Sequence, residues 1–371
     1  MSTATNNATS TGLDLTLPEE LTDLRGLVAQ LLEVPGAPER LQDVEATEER
    51  FDRAAWKVLA DAGVIGVATP EEHGGLGLGQ CGLHVALAEH GRHVVPVPFA
   101  WTAVAVAALA VHADAPLRDA WIAGALAGEA VLTVAPPATL AGLGISMGVA
   151  RGTVTAVPWA HVAGLVLLPA GDALYTLDTA ATGVRREPAA STSRELTAHL
   201  HLDGAPVTRI GDAAAAAGVA TRLRVALASL AGGATDAALR QAAEHTSSRE
   251  QFGKPLSTFQ GVALKAADSY VDTTVIQTAA LQAAWALDTG RDATGPALTA
   301  AWWAAEGGQR CVHVTQHLHG GIGADVTYPV HRYFLWVKQI ELLLGGASAL
   351  LAELGDWLAA APAPGDATVR G

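Results

Sequence analysis

The sequence has few cysteines, few basic residues and no apolar run of membrane length. Two cysteines, Cys81 and Cys311, in 371 residues argue against a disulfide framework and suggest small core side chains. Charged residues interrupt every apolar stretch before the roughly 18 residues that a membrane helix needs. Against 37 Asp and Glu there are 23 Lys and Arg, and the net charge of −14 disfavours nucleic acids and acidic membranes as partners.

Both ends of the sequence are predicted to be disordered tails. Residues 1–14 are rich in Ser, Thr, Asn and Ala, and they lack the basic and apolar regions of a signal peptide. Residues 361–371 have a similar character. A cytoplasmic location is therefore expected.

Between the tails the spacing of apolar residues changes twice. Residues 15–127 show helical spacing, and residues 128–212 show short apolar runs and alternation typical of strands, with Asp203-Gly204 as a predicted turn. Residues 213–360 return to long helices. This order predicts an α+β fold with an N-terminal helical domain, a short middle β domain and a C-terminal four-helix bundle.

Four segments in the two helical regions form a recognisable set. The first two, residues 56–77 and 88–98, contain a helix with a Gly-rich turn and a helix closed by two prolines. The third, residues 249–256, reads Arg-Glu-Gln-Phe-Gly-Lys-Pro-Leu, and the fourth, residues 316–323, ends in Gly-Gly-Ile-Gly. Together they resemble the acyl-CoA dehydrogenase family, and the resemblance implies that family's fold and an enzyme that oxidises CH–CH bonds.

The resemblance also implies an FAD site shared between subunits. In the family, the third segment crosses a subunit interface and holds the pyrophosphate and adenine of an FAD bound mainly by the neighbour. An arginine suits a diphosphate because it forms forked, charge-assisted hydrogen bonds, and glycines allow the backbone to approach a cofactor. The cofactor-binding residues that follow from the resemblance are Arg249, Gln251, Phe252, Gln260, His317, Gly320 and Gly321.

The histidines of the fourth segment allow a second interpretation. His313 and His317 are four residues apart on a predicted helix, with His319 nearby, which is compatible with a metal site. No acidic residue accompanies them, and Cys311 would face another side of the helix. The flavin loop already accounts for the segment, so no metal is predicted.

The catalytic base is missing from both positions where the family places a glutamate. Alignment by the neighbouring motifs puts Leu344 and Leu223 there, and a leucine cannot accept a proton. Glu341, three residues before Leu344, is the remaining candidate base. Arg224 matches an arginine near the active site of family members, where it would steady a thioester or a partner's base.

The half that would hold the flavin ring also departs from the family. Its Thr-Glu-Pro and Gly-Ser-Asp stretches are replaced by residues 132–144, and its Trp-Ile-Thr stretch reads Ala156-Val157-Pro158. Proline offers neither a hydroxyl nor an N–H group. The cofactor half that serves a neighbour is therefore kept, whereas the half that performs the chemistry is lost.

This selective loss resembles the base-less subunit of actinobacterial α2β2 acyl-CoA dehydrogenases that act on CoA thioesters of steroid side chains. The resemblance implies a flavoprotein of lipid metabolism and steroid degradation, an acyl-CoA substrate and a homologous partner that carries the catalytic Glu. Two alternatives stay open. One is a homo-oligomeric dehydrogenase with an unusual base such as Glu341, and the other is a flavin-free protein that binds an acyl-CoA or carrier-bound acyl group.

Overall fold

The computed structural model describes residues 15–360; both predicted tails, residues 1–14 and 361–371, lie outside them. The N-terminal helices are α1 (Glu19–Glu33), α2 (Pro38–Glu45), α3 (Arg53–Asp61), α4 (Gly79–His93), α5 (Phe99–His112) and α6 (Ala115–Leu126). The middle strands are β1 (Leu132–Val134), β2 (Gly142–Ser146), β3 (Val149–Pro158), β4 (Leu165–Ala170), β5 (Ala173–Asp178), β6 (Val184–Ala190), β7 (Leu196–Pro206) and β8 (Thr208–Asp212). The C-terminal elements are α7 (Ala213–Ser248), β9 (Glu250–Gln251), β10 (Lys254–Pro255), α8 (Gln260–Asp288), α9 (Thr294–His319), α10 (Val330–Leu343) and α11 (Ala347–Ala360). The predicted succession of helices, strands and helices is confirmed.

The helical core forms around α5 and α7. Every residue from Phe99 to Ala110 is buried, because α5 is apolar on all sides and lies inside the N-terminal helices. Helix α7 begins where the Asp212 side chain accepts the N–H of Ala215. It packs on α4, α8, α9 and α10, and α11 packs on α9 at the outside of the bundle.

The middle region is a pair of four-stranded sheets with orders β1-β4-β5-β8 and β2-β3-β7-β6, packed face to face over a small apolar core. The predicted turn at Asp203-Gly204 is wrong, because both residues lie inside β7. Ala150 pairs with Ala205 and Arg151 with Asp203, which leaves Gly204 as the extra residue of a bulge. Its φ of +73° suits that position, since glycine adopts left-handed backbone angles without strain.

Helices α4 and α7 cross with their backbones in contact, which joins the N-terminal helices to the bundle. A Cβ added at Gly233 of α7 would lie 1.8 Å from the carbonyl oxygen of Ala88, and one added at Gly91 of α4 would lie 2.1 Å from that of Leu230. Both neighbours are main-chain atoms of helices, which cannot move aside as a flexible side chain could. The crossing therefore requires glycine on both helices.

Gly233→Ala is expected to destabilise the chain by roughly 1–3 kcal/mol, because the added methyl group overpacks a backbone contact. Gly261→Ala is the matched control: beyond the backbone of its own helix, an added Cβ there meets no atom of the described residues within 4 Å, and alanine in a helix is favoured over glycine by about 0.5–1 kcal/mol. Urea unfolding of both variants measures the difference. Equal urea midpoints for the two variants would show that α4 and α7 can move far enough apart to accept the added methyl group.

Two polar clusters hold the N-terminal helices against the middle β region and the C-terminal helices. Glu45 of α2 accepts hydrogen bonds from Arg332 Nε of α10 at 2.7 Å and from Arg194 Nη1, between β6 and β7, at 2.8 Å. The Asp288 carboxylate at the end of α8 accepts the N–H groups of Gln80 and Cys81, at 2.7 and 2.8 Å, at the start of α4. Each cluster joins elements that are far apart in the sequence.

The burial of both cysteine thiols raises their pKa. The pKa of Cys81 rises to about 12, because burial is reinforced by the nearby Asp288 carboxylate. The pKa of Cys311, in the core, rises to about 11, again mainly through burial. Both side chains therefore remain thiols at neutral pH.

Helix α7 is long and apolar enough to cross a membrane by length and composition, and α10 with α11 would be too if that pair, bent by 42°, were one span. Core helices meet the same criteria, and 61% of the apolar window of α7 is buried in the fold. The length and composition of α7 are accounted for by its place at the centre of the bundle.

Candidate functional site

The segment after α7 forms a short arm. Strands β9 and β10 pair antiparallel, with Phe252 and Gly253 between them. Both of these residues have positive φ, 57° and 77°, as a two-residue type I′ turn requires. Phe252 packs edge-on against Phe259, and Lys254 Nζ lies 4.4 Å from the centre of the Phe259 ring. These contacts give the arm a defined shape although Phe252 is 91% exposed.

A cleft of about 550 Å³ lies beside the arm, where α7 and α9 end. It contains four of the residues predicted to bind the cofactor: Arg249, His317, Gly320 and Gly321. Within residues 15–360, and apart from their chain neighbours, the two glycines have no atom within 4 Å of an added Cβ, so their backbone is open to a bound group. Gly320 ends α9 with a φ of +66°. The other lining residues are His245, Leu256, Val262, Leu318, His319 and Ile322.

The remaining predicted cofactor residues lie outside this cleft. Gln251 and Phe252 are exposed on the arm, and Gln260 is exposed at the first position of α8. The structure thus divides the predicted set into a cleft group and a group presented on the surface of the chain.

His245 is a cleft residue that the sequence interpretation missed. Its ring stacks on that of His319, with 4.7 Å between the ring centres. Burial, followed by the neighbouring His319 and Arg249, lowers the pKa of His245 below its ordinary value. The Nε2 atom of His319 is buried and has no hydrogen-bond partner among residues 15–360. Because His245 lies one helical turn before Arg249, its spacing could have indicated that it lines the same cleft.

At the positions expected to bind a flavin ring, several polar groups are already bonded within the chain. The N–H of Ala135 donates to Leu167 O at 2.9 Å, and the N–H of Ala156 donates to His199 Nδ1 at 3.2 Å. The carbonyl oxygen of Pro158 accepts from Thr133 Oγ1 at 2.7 Å. A cleft of about 350 Å³, lined by Thr155, Ala156 and the end of α10, adjoins these positions; we call it the ring cleft.

Both positions of the expected base are buried leucines. Leu344 ends α10 and Leu223 lies in α7. The candidate base Glu341 accepts a hydrogen bond from Lys338 Nζ at 2.6 Å, one helical turn before it. Arg224 donates to both carboxylate oxygens of Glu353 on α11, at 2.8 and 2.6 Å. Neither side chain lines the pocket described next.

A small apolar pocket lies among α4, α5, α7 and α10, on the side of α10 that leads to Leu344; we call it the acyl pocket. It contains a carboxyl group, that of Glu195, which accepts a hydrogen bond from Ser193 Oγ at 2.9 Å. Burial raises the pKa of Glu195 to about 7. No sequence pattern indicated this placement, because Glu195 lies in a polar turn. The lining residues are His90, Val97, Ala100, Trp101, Ser193, Glu195, Leu227, Leu230, Trp336, Gln339, Ile340 and Leu343.

The histidines of α9 have protein neighbours. His313 packs edge-on against Phe334, with 4.8 Å between ring centres, and His319 Nδ1 donates to Thr315 O at 2.7 Å. Within residues 15–360, no group of three or more His, Cys, Asp or Glu side chains is arranged to hold a metal ion.

Two family models match the chain. The acyl-CoA dehydrogenase N-terminal domain matches residues 18–129, and the acyl-CoA dehydrogenase C-terminal domain matches residues 211–356. Acyl-CoA dehydrogenase FadE27 of Mycobacterium tuberculosis is 35% identical over 95% of this chain and 100% of its own length. The chain belongs to the acyl-CoA dehydrogenase family, whose members are FAD-dependent oxidoreductases.

Several solved structures are also similar to this chain over nearly its whole length. A chain of the Tcur3481-Tcur3483 steroid ACAD G363A variant is 42% identical, with a TM-score of 0.87 over 93% of this chain and 99% of that one. A chain of the ChsE4-ChsE5 complex from Mycobacterium tuberculosis is 34% identical, with a TM-score of 0.89 over 95% of this chain and 100% of that one. Butyryl-CoA dehydrogenase from Megasphaera elsdenii, at 18% identity and a TM-score of 0.82, shares the fold.

Proposed function

We propose that this chain is a subunit of a heteromeric, FAD-dependent acyl-CoA dehydrogenase, in which it completes an FAD site and a homologous partner supplies the catalytic glutamate. The observation that carries the proposal is an asymmetry within one chain. The cleft at Arg249 is open and contains backbone and charged groups suited to a diphosphate. At the flavin-ring positions, the N–H groups of Ala135 and Ala156 are bonded within the chain.

The residues present fit one end of FAD and not the other. Arg249 would hold the pyrophosphate, Gly320 and Gly321 would allow it close to the backbone, and Phe252 would offer a face to the adenine. Gln251, Gln260 and His317 would line the same end. When bound, FAD supplies the hydride acceptor of α,β-desaturation. The proton acceptor would come from the partner, because both base positions of this chain are leucine.

The surface around the arm supports a subunit contact there. Leu264, Tyr270 and Val271 of α8 are exposed apolar side chains on the helix that follows the arm, and Phe252 is exposed at its tip. Exposed apolar groups in such a cluster are typical of an interface. Two similar structures are described as pairs, ChsE4-ChsE5 and Tcur3481-Tcur3483, which supports a heteromeric partner.

The proposed substrate is an acyl-CoA, in particular a CoA thioester of a steroid side chain. The support is the description of the 42% identical relative as a steroid ACAD. A cytoplasmic location, expected from the sequence, is part of the same proposal.

The deciding experiment measures FAD per chain by visible absorbance, first on this protein purified alone and then on a complex with a co-expressed homologue that carries the catalytic glutamate. We expect almost no flavin on the single chain and a filled site in the complex. About one FAD per isolated chain would contradict the proposal. Activity of that isolated protein that Glu341→Gln abolishes would establish the homo-oligomeric enzyme. Acyl-CoA binding without a flavin spectrum in either preparation would establish a flavin-free binding protein.

A further inference from the structure

The turn that joins β6 to β7, residues 191–195, lies between two cavities of this chain; we call it the hairpin tip. Ser193 and Glu195 line the acyl pocket, whereas Ser191 and Thr192 line the ring cleft. Gln339 and Leu343 of α10 border both spaces. The hairpin tip therefore stands where the two cavities would otherwise join.

The two cavities differ greatly in size. The ring cleft has about 350 Å³ of free volume, whereas the acyl pocket has about 20 Å³. A volume of that size holds about one water molecule. The helices supply apolar walls suited to an acyl chain, including Trp101, Leu230, Trp336 and Ile340, but the side chains of the hairpin tip share that space.

We propose that the hairpin tip is a partition that closes this chain's own acyl pocket, so that Ser193 and Glu195 determine that an acyl-CoA binds at the partner's site and not here. The inference extends the proposed function and rests on different residues from those of the FAD cleft. It assigns a role to a turn that contains no family motif.

The chemistry of the family explains why such a partition matters. Desaturation transfers a hydride from the β-carbon of the acyl group to the flavin ring while the α-proton goes to a base. The reacting atoms must approach to about 3–3.5 Å. The backbone of the hairpin tip lies between the acyl pocket and the ring cleft, so an acyl chain in the pocket could not reach a group in the ring cleft. A pocket divided in this way cannot support the transfer even with flavin present.

Contacts to both helical regions hold the hairpin tip closed. The N–H of Thr192 donates to Gln339 Oε1 of α10 at 2.8 Å. Arg194 Nη1 donates to Glu45 of α2 at 2.8 Å, and Arg50 Nη1 donates to the carbonyl oxygen of Arg194 at 3.0 Å. Arg194 has a φ of +70°, a strained angle for a non-glycine residue that persists only where its surroundings impose it.

The hairpin tip also bonds within itself. The N–H and Oγ of Ser191 both donate to the carbonyl oxygen of Glu195, at 3.1 and 2.9 Å, and the N–H of Arg194 donates to Ser191 O at 3.2 Å. These bonds form a compact turn rather than an open loop. The closed position of the hairpin tip is thus held by hydrogen bonds within the turn and by contacts to other parts of the chain.

The charge state of Glu195 suits a closing role. Burial raises its pKa to about 7, so its carboxyl group takes up a proton readily near neutral pH, and a neutral acid tolerates apolar walls. The other titratable group that lines the pocket is His90 of α4, whose pKa burial lowers to about 4. Near the outer side of the tip, the charged groups of Arg194 and Arg332 both pair with Glu45.

The test removes the partition and counts acyl-CoA sites. Ala190 and Leu196 are already paired in register, so residues 191–195 can be replaced by Asn-Gly, the sequence favoured in two-residue hairpins. Isothermal titration of the isolated chain with octanoyl-CoA should show no saturable binding for the wild type. The shortened variant should gain one saturable site per chain, with an affinity at least tenfold above the detection limit that bounds the wild type.

A pair of leucine substitutions shows where the gained ligand binds. In the shortened background, Leu230→Trp should abolish the gain by filling the acyl pocket, whereas Leu358→Trp, at an exposed position of α11, should leave it unchanged. Should the shortened variant fail to fold, Ser193→Gly with Glu195→Gly keeps the chain length and removes the same side chains from the pocket.

Three outcomes would overturn the partition. One is saturable binding of one octanoyl-CoA by the wild-type chain, and another is no gain in a folded variant. The third is a loss of turnover of at least a hundredfold in the partner complex of Glu195→Gln, with unchanged octanoyl-CoA stoichiometry, which would make Glu195 a base. Flavin on the isolated chain is measured separately, so failure of the proposed function is distinguished from failure of the partition.

Discussion

Arg249→Ala is expected to weaken FAD retention by the assembled complex about 10- to 100-fold, without dissociating the subunits. The reason is the loss of charge-assisted hydrogen bonds to the diphosphate, each of which contributes about 1.5–3 kcal/mol. Arg249 is exposed in the cleft beside His317 and the two glycines, so its removal leaves no buried charge behind. Flavin content after gel filtration at low micromolar concentration, with FAD affinity from fluorescence titration, measures the effect.

Two further arginine variants make the test specific. Arg249→Lys should retain part of the affinity, because lysine keeps the charge but loses the forked geometry. Arg240→Ala, in α7 before the arm, removes an arginine that pairs with Asp236 outside the cleft and should leave flavin content unchanged. Unaltered retention in Arg249→Ala would mean that this cleft does not hold FAD.

Glu45→Gln is expected to lower the free energy of unfolding by about 3 kcal/mol, because removing one partner of a buried pair leaves the other charge uncompensated. Arg332 is 2% exposed, and its Nε and Nη2 atoms donate to the two carboxylate oxygens of Glu45 at 2.7 and 3.2 Å. The same carboxylate binds Arg194, so the substitution also loosens the hairpin tip. Urea unfolding followed by tryptophan fluorescence measures the loss.

The free energy of unfolding should also depend on pH through the carboxylate of Glu45. Burial alone would raise the pKa of Glu45, but hydrogen bonds from Arg332 and Arg194 outweigh it and hold the pKa below its ordinary value. The folded state therefore binds the proton less readily than the unfolded state, and the contribution is present above about pH 4.5 and lost as the pH falls further. The difference between wild type and Glu45→Gln should narrow correspondingly in acid.

The control for this effect is an exposed ion pair of the same kind. Glu49→Gln removes the partner of Arg53 on the surface and should cost less than about 1 kcal/mol. Replacing Arg332 with Met in the Glu45→Gln background removes the stranded charge and should restore part of the stability. Equal losses for Glu45→Gln and Glu49→Gln would show that the buried cluster contributes no more than a surface pair.

The sequence predicted the architecture because local patterns determine most of it. Apolar spacing identified the helices on both sides of the β region, and alternation identified strands such as β7. The turn at Asp203-Gly204 was wrong because an Asp-Gly pair also suits a bulge, and only the pairing of β3 with β7 distinguishes the two. The motif resemblance likewise placed Arg249, His317, Gly320 and Gly321 in what proves to be one cleft.

The site features that sequence could not supply depend on contacts between distant residues. Thr192 and Gln339, which fix the hairpin tip, are 147 positions apart. Glu195 enters an apolar pocket because helices from both ends of the chain build the walls, and no local pattern around Glu195 reports this. The guanidinium of Arg224 pairs with Glu353, 129 positions away, a contact that no local pattern reports.

The high thiol pKa values of Cys81 and Cys311 have a practical consequence for work on this protein. Maleimides and other electrophiles react with thiolates, which neither native cysteine forms near pH 7. The native cysteines therefore react little when a new cysteine is labelled. A dye attached through a new cysteine at the exposed arm tip, in place of Phe252, would test whether a second subunit covers the arm, as proposed above.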